Sequence, residues 1–177
     1  MREQKFSLFG YWGPFGHANS DTLMLEKNDL IHSFDWLSVR KDQAYPVFTH
    51  AASDDRNPWE NPETAAMPGQ VNAFFRWKNV LDRPNQFSMK IFIDTAINTR
   101  VQIPAQTIAD VTLRRIQKFR LSPGETITWT FGEQKGIAAA DTHGILTLPE
   151  LIITSSSKKL TLRKITSDIQ ETKKEKW

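Results

Sequence analysis

A chain of 177 residues has room for one ordinary domain, or for a small domain with an appendage. Hydrophobic residues make up 39% and aromatics 11%, enough for a packed core, and 24% charged residues is too ordinary a share for wholesale disorder. The chain has no cysteine, which excludes disulfides, thiolate catalysis and cysteine-ligated metal.

The net charge of +3 is set largely by lysines and arginines near the C-terminus, away from the aromatic residues, so no base-stacking basic face and no nucleic-acid partner are expected. No run approaches the roughly 18 apolar residues of a membrane-spanning helix, so no membrane partner is expected either. Met1 to Phe6 has no apolar stretch of signal-peptide length and reads as an abrupt start before a strand, as a cut or shortened reading frame would give. The compartment stays open.

In chain order, Phe6 to Trp12 is short, apolar and aromatic, which suits a buried strand. Gly13-Pro14-Phe15-Gly16 forces a turn, and His17 follows it directly. Asn19, Ser20 or Asp21 can cap a helix, and Leu23, Leu30, Ile31, Phe34 and Leu37 recur at helical intervals as far as about Val39. Residues 1–44 therefore read as a strand–loop–helix α/β segment. Tyr45 to His50 is a strand whose early Pro46 suits an edge. A long loop from Ser53 to Gly69, with three prolines and Trp59 at its middle, completes a connecting region over 45–70.

From Val71 the pattern changes to strand and turn. Val71 to Trp77 and Phe87 to Ile93 flank a turn at Asp82 to Asn85, and Phe74-Phe75 should place at least one ring outward. Ile108 to Leu113 and Ile116 to Leu121 are two further strands, interrupted by Arg114-Arg115. Glu125 to Phe131 alternates with Ile127, Trp129 and Phe131 on one face, which makes Trp129 a core residue. Gly132 to Gly136 and Thr142 to Gly144 are turns, and Ile145 to Leu148, Leu151 to Ile153 and Leu160 to Leu162 complete the series. Short strands spaced by Gly and Pro turns predict a mainly β chain. The expected fold is an antiparallel β-sandwich over 71–165, immunoglobulin- or fibronectin-like in general appearance, preceded by the short strand–loop–helix α/β segment. Residues 166–177 form a polar tail.

His17 is the first candidate for chemistry. A histidine on a turn just past a buried strand is placed where an imidazole can take a proton from a serine carried by another strand. The plainer reading is that it decorates a strand-to-helix turn.

The Gly-Pro-aromatic-X-His loop after an aromatic strand resembles the histidine loop of α/β-hydrolase esterases and acyl peptidases, including the cocaine-esterase-like group. In that group the histidine precedes a helix and then a C-terminal β-domain, the order expected here. Ser33 to Leu37 with Ala44 to Thr49, Asn72 to Trp77, and Ala109 to Arg115 with Gln117 to Phe119 are also similar to the ends of bacterial α/β-hydrolases. The resemblance implies an esterase or hydrolase with His17 as catalytic general base, acting on an ester substrate. The chain departs from that family in one respect. Its sequence holds no Gly-X-Ser-X-Gly elbow, and the nucleophile and acid would both precede His17. The expectation is therefore a C-terminal hydrolase part with an incomplete triad, inactive alone, whose partner is an N-terminal hydrolase domain or a second copy.

Other candidates carry plainer readings beside the functional ones. Asp54, Asp55, Glu60 and Glu63 are hard oxygen ligands, but their spacing fits no EF-hand, so a solvated loop is expected and no metal or other cofactor is assigned. Adjacent Asp54 and Asp55 also rarely meet the geometry of a glycosidase carboxylate pair. Trp59 is the best exposed aromatic for stacking on a sugar ring and is the candidate substrate-binding residue. Arg114 and Arg115 should face opposite sides of a strand, with Asp110 near enough to form an ion pair. His32, His50 and His143 have no metal-ligand spacing and receive no role. The alternative to the esterase reading is a non-catalytic β-sandwich module that binds carbohydrate or a protein partner, or that shields the hydrolase.

Overall fold

The computed structural model describes residues 40–51, 74–97 and 103–165. The strand–loop–helix segment, His17, His32, the acidic loop with Trp59, and the polar tail lie outside the described residues.

The described residues form eight strands: β1 (Tyr45–Thr49), β2 (Phe75–Arg83), β3 (Gln86–Ile93), β4 (Gln106–Arg114), β5 (Thr126–Phe131), β6 (Gln134–Ala139), β7 (Thr147–Thr154) and β8 (Lys158–Lys164). They make a three-stranded sheet of order β1-β4-β7 and a five-stranded sheet of order β2-β3-β8-β5-β6. Every pairing is antiparallel. The two inner faces meet in one core, giving the mainly β, two-sheet architecture expected of a sandwich. The last strand, β8, runs between β3 and β5, whereas in the immunoglobulin arrangement it lies at a sheet edge.

Alternation builds this core. In β4, Thr107, Ala109, Val111 and Leu113 are buried while Gln106, Ile108 and Arg114 are exposed. In β8, Leu160 and Leu162 turn inward, and in β5 Ile127 and Phe131 do the same. Central β3 adds Phe87, Met89, Ile91 and Ile93, each at most 1% exposed. Trp129 is only half-buried, packed at the margin of the core. Its indole lies over Gly136, its cross-strand partner, where an added Cβ would stand 3.0 Å from Nε1. That contact explains a glycine inside β6.

The strand expected at Tyr45 to His50 is an integral edge of the smaller sheet, paired with β4 from Tyr45↔Arg114 to Thr49↔Asp110. Other expectations are corrected. Ile116 to Leu121 is a loop, because one carboxylate takes up the backbone N–H groups that a strand partner would need. Asp82 and Arg83 belong to β2, and only Pro84 and Asn85 make the turn. Phe74 and Phe75 are both 2% exposed. Phe74 precedes the strand, so strict alternation does not apply to the pair. Gln134 to Ala139 is a strand, and the two runs read at Ile145–Leu148 and Leu151–Ile153 merge into one strand that starts at Thr147, with an irregularity of register against β4.

Candidate functional site

At the end of the smaller sheet where β1 and β7 begin and β4 ends, the chain leaves Arg114 and crosses to the larger sheet. Arg115 has φ +53, a left-handed conformation uncommon for a side chain of this size, and it ends the strand by redirecting the backbone. The crossing loop, 115–125, is held at several points. The Asp82 carboxylate, reaching from β2, accepts the N–H groups of Gln117 (2.7 Å), Lys118 (3.1 Å) and Phe119 (2.7 Å). Three consecutive amides converging on one anion form a backbone nest, here filled by the protein's own side chain.

Phe119 plugs the sandwich end, fully buried with its ring centroid 6.3 Å from that of Phe87. Lys164 at the end of β8 donates to the Arg120 carbonyl at 2.6 Å and bridges Glu125 at 2.9 Å. Glu125 in turn accepts the Ser122 N–H, and this bond, followed by the one to Lys164, holds its carboxyl below the usual range. Gly144 closes the opposite wall. Its φ is +72, and a Cβ added there would collide with the Leu121 carbonyl oxygen.

Between these walls lies a cleft of about 960 Å³. Lys41, Arg114, Arg115 and Arg120 line it, together with Tyr45 and His143. Its apolar surface comes from Leu113, Ile116, Phe119, Leu121 and Ile145, and no Asp or Glu is among the lining residues. Two acids on neighbouring segments accept backbone amides of the lining loops. Asp82 is filled by the three amides. Asp141 accepts the N–H groups of Ile145 and His143 at 2.8 Å each, and these bonds, helped by Arg114, hold its carboxyl below the ordinary value.

A second polar constellation lies farther along the same sheet. His50, at φ +51, places Nδ1 2.7 Å from Asp110 Oδ2, while Asp110 Oδ1 accepts the N–H of Glu150, itself at φ +55. Asp110 sits where the β4–β7 register shifts, so a bulge aims its side chain at both partners. The Glu150 N–H, then the His50 ring, holds the Asp110 carboxyl below its ordinary value. The ion pair expected between Asp110 and Arg114 or Arg115 is replaced by this arrangement, because Arg115 has already left the strand. An imidazole oriented by a carboxylate is two-thirds of a triad. Among the described residues, no hydroxyl is hydrogen-bonded to its other nitrogen.

Comparisons with protein-family models, curated proteins and solved structures find no match to this chain.

His17 and Trp59, the residues singled out by sequence, are outside the described set. The functional geometry therefore rests on residues that sequence reading passed over or, for Arg114, Arg115 and Asp110, assigned to a structural ion pair. His50 had no metal spacing and drew no role, and its link to Asp110 spans 60 residues. Lys41, Arg120 and His143 carry no local motif, and only the fold brings them to one cleft. Among the described residues, no three His, Cys, Asp or Glu side chains converge as a metal site, and no helix is long and apolar enough to cross a membrane.

Proposed function

We propose that the chain is the C-terminal part of an α/β-hydrolase-like esterase, in which the β-sandwich is a non-catalytic accessory module and His17 supplies the general base. The supporting observation is the position of β1. The sandwich starts at Tyr45, directly after the segment with the Gly13-Pro14-Phe15-Gly16-His17 loop, and has a closed core of its own. That order, histidine loop, then the helix expected from sequence, then a separate β-module, is the one implied by the resemblance. The module's cleft offers cations and apolar side chains with no carboxylate among its lining, a surface suited to holding a ligand. In this reading the serine and acid of the triad come from residues N-terminal to His17, and an ester is the substrate class.

The test is to translate the DNA upstream of Met1, express the longest in-frame protein and assay hydrolysis of 4-nitrophenyl acetate. The reading expects an in-frame Gly-X-Ser-X-Gly strand, and a His17→Ala variant slower by about 10³-fold or more. An active protein that keeps its rate after His17→Ala contradicts it.

A further inference from the structure

We propose that the cleft between the 115–121 loop and the 143–145 turn is a binding site for a small organic ligand bearing oxyanion groups, with Arg114 and Arg120 as its principal contacts. The inference goes beyond the esterase reading and stands whether or not His17 acts as a base.

Charge comes first. Lys41, Arg114, Arg115 and Arg120 line one concavity whose lining holds no Asp or Glu, and Asp141 beside it partly balances Arg114. A cleft of one sign with low-dielectric walls focuses its field, so a cation gains more there than on a flat exposed surface. An anion entering it meets cations and no carboxylate among the lining side chains, which favours an anionic occupant over a neutral one.

Shape comes second. The volume of about 960 Å³ is that of a small-molecule site, and the part-exposed Ile116, Leu121 and Ile145 suit the carbon skeleton of a ligand of two or three rings. Tyr45 on the wall adds an aromatic face with a polar tip.

Preorganisation comes third. The Asp82 nest, the Lys164 bond to the Arg120 carbonyl and the buried Phe119 ring fix the backbone from which Arg115 and Arg120 project. Arg120 Nε also donates to the Gln117 carbonyl at 2.9 Å, which fixes its stem while leaving the Nη edge of the fork out of that bond. A guanidinium held in place loses little freedom when it meets a planar or tetrahedral oxyanion through two parallel bonds. Carboxylate, sulfate and phosphate share this chemistry.

The experiment is calorimetric titration of the 177-residue chain with a sulfated disaccharide, with digalacturonate, with inorganic phosphate, and with an uncharged disaccharide of the same size. At least one charged probe is expected to bind, with affinity falling several-fold as salt rises from about 50 to 300 mM, and the neutral sugar is expected not to bind. Which anion binds identifies the group recognised. The double variant Arg114→Gln/Arg120→Gln should weaken that binding about tenfold or more. Lys135→Gln/Lys159→Gln removes the same charge from exposed positions of the larger sheet and should leave affinity within about twofold. The pair Lys41→Gln/Arg114→Gln provides a second lesion should the first fail to fold. No binding of any charged probe, equal binding of the neutral sugar, or equal losses in the cleft and control variants would overturn the proposal.

Discussion

Two aspartates hold two parts of this sandwich, and they do so differently. Asp82 spends its carboxylate on the backbone amides of Gln117, Lys118 and Phe119, groups that do not titrate. Asp110 divides its oxygens between the Glu150 amide and the ring of His50, whose side chain is 83% exposed. The first clamp fixes a loop that carries arginines and covers the end of the core. The second stabilises two left-handed residues beside a bulge and leaves an imidazole facing solvent. The contrast is between a clamp that closes a core and one that trims a surface. Both are long-range, since Asp82 lies 35 residues from Gln117 and Asp110 60 from His50.

Perturbing each clamp sharpens the comparison. Asp82→Ala removes the acceptor of three amides, two of them part-buried, and loosens the loop around Phe119. Its expected cost is about 3 kcal/mol in urea denaturation, with Asp82→Asn recovering part of it through the remaining carbonyl oxygen. A loss below about 1 kcal/mol would place Asp82 in the same class as a surface clamp.

Asp110→Asn should cost about 1 kcal/mol at neutral pH. The sign follows from the lowered carboxyl: folding holds the proton less tightly than the unfolded chain does. The stabilisation is therefore present above the ordinary aspartate value of about 3.9, and it fades as pH falls below that value through the lower folded one. Denaturation midpoints of wild type and Asp110→Asn should converge at acid pH, and a constant gap down to about pH 2 would contradict the assignment.

His50→Asn is the smallest effect. Asparagine tolerates the left-handed backbone, and an exposed pair contributes little, so a change within about 0.5 kcal/mol is expected by the same measurement.

The sequence revealed the sandwich through period-two burial, and strands such as Gln106–Arg114 and Thr126–Phe131 follow it closely. It misled at Ile116 to Leu121, where Ile, Phe and Leu mimic a strand. The deciding group, Asp82, is remote in sequence and looked like part of a turn. Arg114-Arg115 suffered from the same blindness. Alternation assigns the two arginines to opposite faces only while the strand continues, and the left-handed Arg115 stops it. Gln134 to Ala139 was hidden for a different reason: Gly136 reads as a breaker until the indole of Trp129 is seen lying over it. The cleft was illegible because Lys41 and the arginines at 114, 115 and 120 come from stretches far apart in sequence, joined by the pairing of β1 with β4. Local motifs point to candidate sites built within one turn, as at His17, and cannot point to one assembled by topology.

The account turns on whether the arginine-bearing loop is locked to the sandwich by Asp82. Native-state hydrogen exchange of the Gln117, Lys118 and Phe119 amides tests that most directly. In wild type they should exchange as slowly as the amides paired between β3 and β8, and in Asp82→Asn they should speed up by about tenfold or more while those strand amides keep their protection relative to global unfolding. Amides at 117–119 that exchange at unprotected loop rates in the wild-type protein would contradict it.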